Sequence, residues 1–74
     1  MKSNVLRFDY WFSFNYKRLR RILGWQLNED VFHDTYLLLR KDLLFIDLPI
    51  IDFEPLFWGI YIRARLRNIA KENR

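Results

Sequence analysis

Residues 28–42 read NEDVFHDTYLLLRKD, and their spacing decides what kind of fold the chain can build. Val31, Thr35 and Leu38 recur at three- and four-residue intervals, as do Phe32, Tyr36, Leu39 and Leu43. Two adjacent stripes of that period make a helix with a broad buried face. Asn28 is a good N-cap, and Glu29 and Asp30 fall in the first turn, where the helix dipole favours anions. Arg40 and Lys41 fall near the other end, where it favours cations. A third stripe, Asp30, His33, Asp34, Leu37 and Lys41, is mainly polar and is expected to face outward. It carries the chain's single histidine, flanked by two carboxylates.

The flanking segments repeat the helical period. Upstream, Val5, Phe8, Phe12, Tyr16, Leu19 and Leu23 predict a helix from about Asn4 to Leu23, closed by Gly24 as a C′ residue. Lys17, Arg18, Arg20 and Arg21 occupy its last turns. Downstream, Asp52 or Glu54 can cap a third helix, with Pro55 tolerated in its first turn and an end near Lys71. Trp58, Ile62, Leu66 and Ile69 form one apolar line there, with Phe57, Tyr61 and Ala64 beside it. Arg63, Arg67, Lys71 and Arg74 form a basic line.

Between the second and third helices lies LLFIDLPIID, residues 43–52. Pro49 argues against a helix interior, and the stretch is too apolar for an ordinary solvated loop. It is expected either to tuck over the core or to meet a partner. A lone strand there would have nothing to pair with.

Two glycines, two prolines and no hairpin-turn dipeptide favour an all-α class. The expected architecture is a single domain over residues 1–74. It is a compact bundle of three helices, or four if the apolar segment adds one. A chain of 74 residues builds a core worth only ~3–5 kcal/mol net. It has no cysteine, so no disulfide adds to that, and one histidine without thiolates is a poor structural zinc site. The 7 Phe, 4 Tyr and 3 Trp can compensate through their large buried areas.

No apolar run approaches the ~18–20 residues of a membrane span; the longest is LFWGIYI, 56–62. Arg7, Asp9 and Lys17 to Arg21 break the basic-then-apolar order of a signal peptide. A soluble cytoplasmic protein with no membrane partner is therefore expected. The net charge of +4 is unevenly spread. Residues 1–24 carry six basic and one acidic side chain, 25–52 two basic and six acidic, and 53–74 five basic and two acidic. Basic ends suit phosphates, and an acidic middle suits a basic protein surface.

Asp30, His33 and Asp34 share one helical face, so a histidine general base is the first chemistry to weigh. The chain has no Gly-rich phosphate loop, nucleophile motif or second histidine, and a short helical chain offers little concave volume. Metal sites draw ligands from several elements, whereas these three lie on one. The expectation is a non-enzyme with no cofactor and no metal. The trio then reads either as a solvated acidic first turn or as a protein-docking face. On the third helix, the basic line Arg63, Arg67, Lys71 and Arg74 lacks balancing acids, since Glu72 is the only one after Glu54. Cations beside aromatics fit nucleic acid, with rings to stack on bases. The plain alternative is that Trp58 and Tyr61 are core.

The order of these features resembles the second conserved region of bacterial sigma factors, in its compact extracytoplasmic-function form. A basic helix precedes EDVFHDTYLLL, and a loop precedes FEPLFWGIYIRARLRNIAKENR. Glu29, Asp30 and Val31 fall on the family's E-D-L/V, with His33 on its Gln, Asp34 on its acid and Tyr36 on its aromatic. Phe53 falls on the leading Phe of the later helix, Leu56 on Trp, Phe57 on Leu, Trp58 on Tyr and Ile60 on Ile. The resemblance spans about Phe8 onward and implies docking on the clamp helices of the RNA polymerase β′ subunit through Glu29, Asp30, His33 and Asp34. It also implies contact with the non-template strand of a −10-like promoter element through Trp58, Tyr61, Arg63, Arg65, Arg67 and Lys71. No counterpart of the family's −35-reading domain is present in the sequence, so three forms are expected: a minimal or phage-encoded sigma-like factor, one subunit of a split factor completed by a second protein chain, or a mimic that occupies the clamp helices. The competing expectation is a small structural or adaptor protein of a phage particle or larger assembly, with its helices and apolar loop as interface. A helix-turn-helix repressor fits poorly, because the connection before the last helix is far longer than a 3–4-residue turn.

Overall fold

The wide aromatic stripes of the first two helices leave no room for close backbone contact throughout, and the fold is organised around that fact. A computed structural model describes residues 3–72, with side chains through Ile69. It contains three α-helices: α1, Ser3–Leu23; α2, Glu29–Leu43; and α3, Glu54–Glu72. No strand occurs among the described residues. α2 packs along α3 and more briefly along α1.

α1 reaches α3 through long side chains. Trp11 and Phe12 both meet the ring of Phe57, at centroid distances of 5.9 and 5.8 Å. Phe12 also sits 4.5 Å from Tyr36 and 5.6 Å from Phe32 on α2. Phe8 stacks on Tyr36 at 5.5 Å and meets Phe53 at the same distance. Each such pair contributes ~0.5–1.5 kcal/mol beyond the area it buries. The aromatic load thus does what a small aliphatic core could not.

Sequence spacing located most of this core. Val5, Phe8 and Leu19 of α1 are buried, as are Val31, Phe32, Thr35, Leu39 and Leu43 of α2. Tyr16 and Leu38 are the exceptions: both are exposed at the surface, although the Tyr16 ring still edges onto Phe12 and Phe32. On α3 the structure chooses between the two apolar lines. The buried line is Phe53, Phe57 and Tyr61, with Ala64 packed against it. Ile62, Leu66 and Ile69 are exposed. Both lines are apolar at helical spacing, and only the placement of α2 and α1 chooses between them.

The helix ends follow local chemistry. Gly24 has φ +53 and is the only described residue at positive φ, a conformation in which a Cβ is strained. It opens a single 3₁₀ turn, Gly24–Gln26, closed by Leu27 N–H donating to the Gly24 carbonyl at 3.2 Å. Asn28 caps α2, its side-chain oxygen accepting the Val31 N–H at 3.2 Å. Asp52 accepts the Glu54 N–H at 3.1 Å at the start of α3.

The apolar connection forms no fourth helix. Three tight bonds, from Leu44, Phe45 and Ile46 N–H to the carbonyls of Lys41, Asp42 and Leu43, wind down α2. The segment then divides residue by residue between core and solvent. Ile46 and Ile50 pack against the core, whereas Phe45, Leu48 and Ile51 are exposed. What holds it is Asn4, buried at 1% exposure in the first turn of α1. Its amide donates to the carbonyls of Ile46 at 3.0 Å and Leu48 at 2.8 Å, and its oxygen accepts the Ile50 N–H at 3.0 Å. One side chain therefore satisfies three backbone groups of a segment with no ladder of its own.

Removing that side chain leaves those groups short of partners. Asn4→Ala is expected to lower unfolding free energy by about 2–4 kcal/mol, since each orphaned buried group costs ~1–3 kcal/mol. That is comparable with the whole net stability of a core this size, ~3–5 kcal/mol. Urea unfolding checks it against the exposed control Ser3→Ala. A difference under ~0.5 kcal/mol means the segment is held by Ile46 and Ile50 alone.

Candidate docking and nucleic-acid faces

The cap at Asn28 fixes where α2 begins and so which side chains share its outer face. Asp30, His33 and Asp34 all stand exposed there. They make no side-chain hydrogen bond or ion pair with any described residue, and no cluster of three His, Cys, Asp or Glu able to hold a metal occurs among the described residues. Glu29 differs from them. It is exposed, but its carboxylate pairs with Arg20 of α1, one bond measuring 2.8 Å. The Arg20 hydrogen bonds hold the Glu29 carboxyl below its usual range. Arg20 in turn lies over the rings of Tyr16 and Phe32, 5.3 and 5.8 Å from their centroids. Glu29 is therefore a strut between α1 and α2, and the open part of the predicted docking set is Asp30, His33 and Asp34.

Two further ion pairs complete the frame. Arg18 grips Glu54 at the start of α3 at 2.6 Å. Arg40 reaches Asp9 at 3.1 Å, where Tyr36 also donates its hydroxyl at 2.7 Å. Burial pushes the Asp9 carboxyl up, but the hydrogen bonds from Arg40 and Tyr36 outweigh it and hold the group low. The basic block predicted at the end of α1 is thus split: Arg18 and Arg20 are neutralised, while Lys17 and Arg21 are exposed and unpaired among the described residues.

The predicted nucleic-acid residues of α3 do not form one patch. Arg63 and Arg67 stand on the flank facing α2 and line a shallow crevice with Leu38 and Asp42. Asp34 and Arg67 line the adjoining part of the same seam. The acidic face and these two arginines are therefore neighbours, with no ion pair joining them. Arg65 lies on the opposite flank, in a groove with Trp25, Gln26 and Ile69. Trp58 is half-buried, its indole N–H donating to Glu54 at 3.4 Å and its ring edge-on to Phe57 and Tyr61. Tyr61 is corrected outright as a base-stacking residue: it is 3% exposed and belongs to the core. The Lys71 side chain lies outside the described residues.

Trp25 was not singled out from sequence, yet at 91% exposure it is the most available large ring near Arg65. Its position directly after the helix-ending Gly24 was the signal, since a residue held out by a tight turn has no stripe to join. No family model matches the chain, and neither a curated protein nor a solved structure matches it.

Two outcomes follow from this geometry. The Tyr61 hydroxyl is buried and makes no hydrogen bond with any described residue, so Tyr61→Phe is expected to leave stability unchanged or raise it by ~1 kcal/mol; a loss of that size in thermal unfolding shows a partner for the hydroxyl. Asp9, Glu29 and Glu54 all have folded-state pKa values below their usual ones. Their contribution is complete above the ordinary carboxylate range and lost as pH falls below about 4. Asp9→Asn is expected to weaken the domain at neutral pH and to flatten the acid limb of its stability profile. Parallel acid limbs for the two proteins refute it.

Proposed function

We propose that the chain is a sigma-like module. It docks on the β′ clamp helices of RNA polymerase and contacts the non-template strand of a −10-like promoter element in transcription initiation. The observation that carries this reading is the open acidic trio Asp30, His33 and Asp34 beside Arg63 and Arg67, which have no ion pair among the described residues. Carboxylates free of internal partners are available for charge-assisted bonds to arginines on a partner helix. Arginines across the seam are available for phosphates. The motif order of EDVFHDTYLLL and the later basic helix points to the same pair of partners. Such a module is not an enzyme, needs no cofactor and works in the cytoplasm.

Within this reading Trp58 keeps a partly open ring, Arg63 and Arg67 take phosphates, and Arg65, on the other flank, stands apart from them. Glu29 and Tyr61 support the faces from behind. No helix among the described residues is long and apolar enough to cross a membrane. The second reading is a structural or adaptor protein of a phage particle or larger assembly. It is favoured by the apolar side chains left at the surface, among them Phe45, Leu48 and Ile51.

The deciding experiment is affinity capture of core RNA polymerase on the purified chain. Asp30→Arg with Asp34→Arg is expected to abolish capture while the circular dichroism spectrum stays helical. Full capture by the charge-reversed chain sinks the polymerase reading, and absence of capture by the unaltered chain supports the adaptor. Binding to −10-like single strands is expected to fall steeply with salt, at a log–log slope of about −0.7 per phosphate neutralised. Replacing Arg63 and Arg67 with Gln makes that slope shallower.

A further inference from the structure

One exposed apolar surface belongs to neither face described above. Leu6, Tyr10 and Phe14 follow one another at four-residue spacing along the side of α1 turned away from α2, with exposures of 68%, 75% and 82%. Ile51, 93% exposed, closes the other side of a groove of about 590 Å³, and Arg7 stands at its edge over the Phe53 ring. Soluble chains rarely leave so contiguous an apolar surface open without a use for it. The same helical line continues past Phe14 through Lys17 and Arg21, both exposed and unpaired among the described residues. From Leu6 to Arg21 the face runs roughly 22 Å at 1.5 Å per residue.

We propose that this face is a docking groove for an amphipathic helix of a second protein, with apolar residues at helical spacing followed by acidic ones. The apolar residues would fill the groove between Leu6, Tyr10, Phe14 and Ile51, as helix-in-groove recognition requires. The acidic residues would meet Lys17 and Arg21 one to two turns further along, fixing the direction of the bound helix. Charge decides against a second copy of this chain laid parallel on the same face. α1 has one acidic side chain, Asp9, and it is committed to Arg40 and Tyr36 on the other side of the helix. Two copies laid face to face in parallel would bring Lys17 and Arg21 together, with no acidic side chain of α1 facing them. This groove lies on the opposite side of α1 from the contacts with α2, so it stands or falls independently of polymerase docking.

The test uses the purified full chain and two labelled synthetic helical peptides. One carries Leu and Phe at i, i+4 and i+7 followed by a turn rich in Glu; its twin has Lys in place of each Glu. Fluorescence anisotropy is expected to show saturable binding of the Glu peptide, with the Lys twin weaker by about tenfold or more. Tyr10→Ala with Phe14→Ala removes binding of both at unchanged helicity, because neither ring is core. Lys17→Glu with Arg21→Glu leaves the apolar groove intact and reverses the preference between the twins. No binding of the Glu peptide, equal binding of the two, or indifference to these variants overturns the proposal. So does sedimentation showing a dimer that Phe14→Ala dissolves, or binding to phosphatidylglycerol vesicles with none to the peptide.

Discussion

Everything in this molecule depends on the wedge of rings that keeps α1 and α3 apart while joining them. Phe8, Phe12, Phe32 and Phe57 meet edge to face or tilted across three helices, and Phe8 and Phe57 are completely buried. Large rings span a wider gap than leucines can, so a core of few side chains still touches all three helices. The consequence is economy of another kind. α1 and α3 each turn one narrow stripe inside and α2 a broader face, and many of the remaining apolar side chains stay outside.

Around the wedge, polar groups act as struts between elements. Arg18 with Glu54, Arg20 with Glu29 and Arg40 with Asp9 join α1 to α3 and to α2. All three are solvent-facing, and exposed pairs contribute little individually, ~0–1 kcal/mol. Their larger effect is on what remains free. By consuming Arg18, Arg20 and Glu29 they leave Lys17 and Arg21 on one face and Asp30, His33 and Asp34 on another. The charge available to partners is thus selected by internal pairing, and the linear charge map alone does not reveal it. Asn4 plays the corresponding part for the backbone, holding the segment before α3 so that Phe53 and Phe57 enter the wedge in register.

Much of the fold was legible in the residues. The three helices, the Gly24 stop, the Asn28 cap and the outward Asp30–His33–Asp34 stripe follow from local steric and hydrogen-bonding rules that act within a few residues. The segment 43–52 was legible only as a choice between core and partner. Its resolution required knowing that Asn4, more than forty residues away, points a buried amide at it. Tyr61 and Ile62 show the same limit on α3. Both lie on apolar lines of helical period, and sequence spacing gave no reason to bury one and expose the other.

What the sequence by itself determined is therefore the class and the parts: an all-helical chain, its caps and stops, and one polar outer stripe carrying a histidine between acids. Tertiary structure alone decided which apolar line of α3 is core and which acid is a strut. It also decided that Arg63 and Arg67 border the acidic face while Arg65 does not, and that Leu6, Tyr10 and Phe14 stay open. The physical reason is range. Capping, dipole and periodicity are set by neighbours within a turn or two of helix, whereas burial and ion pairing depend on which distant side chain arrives at the same place.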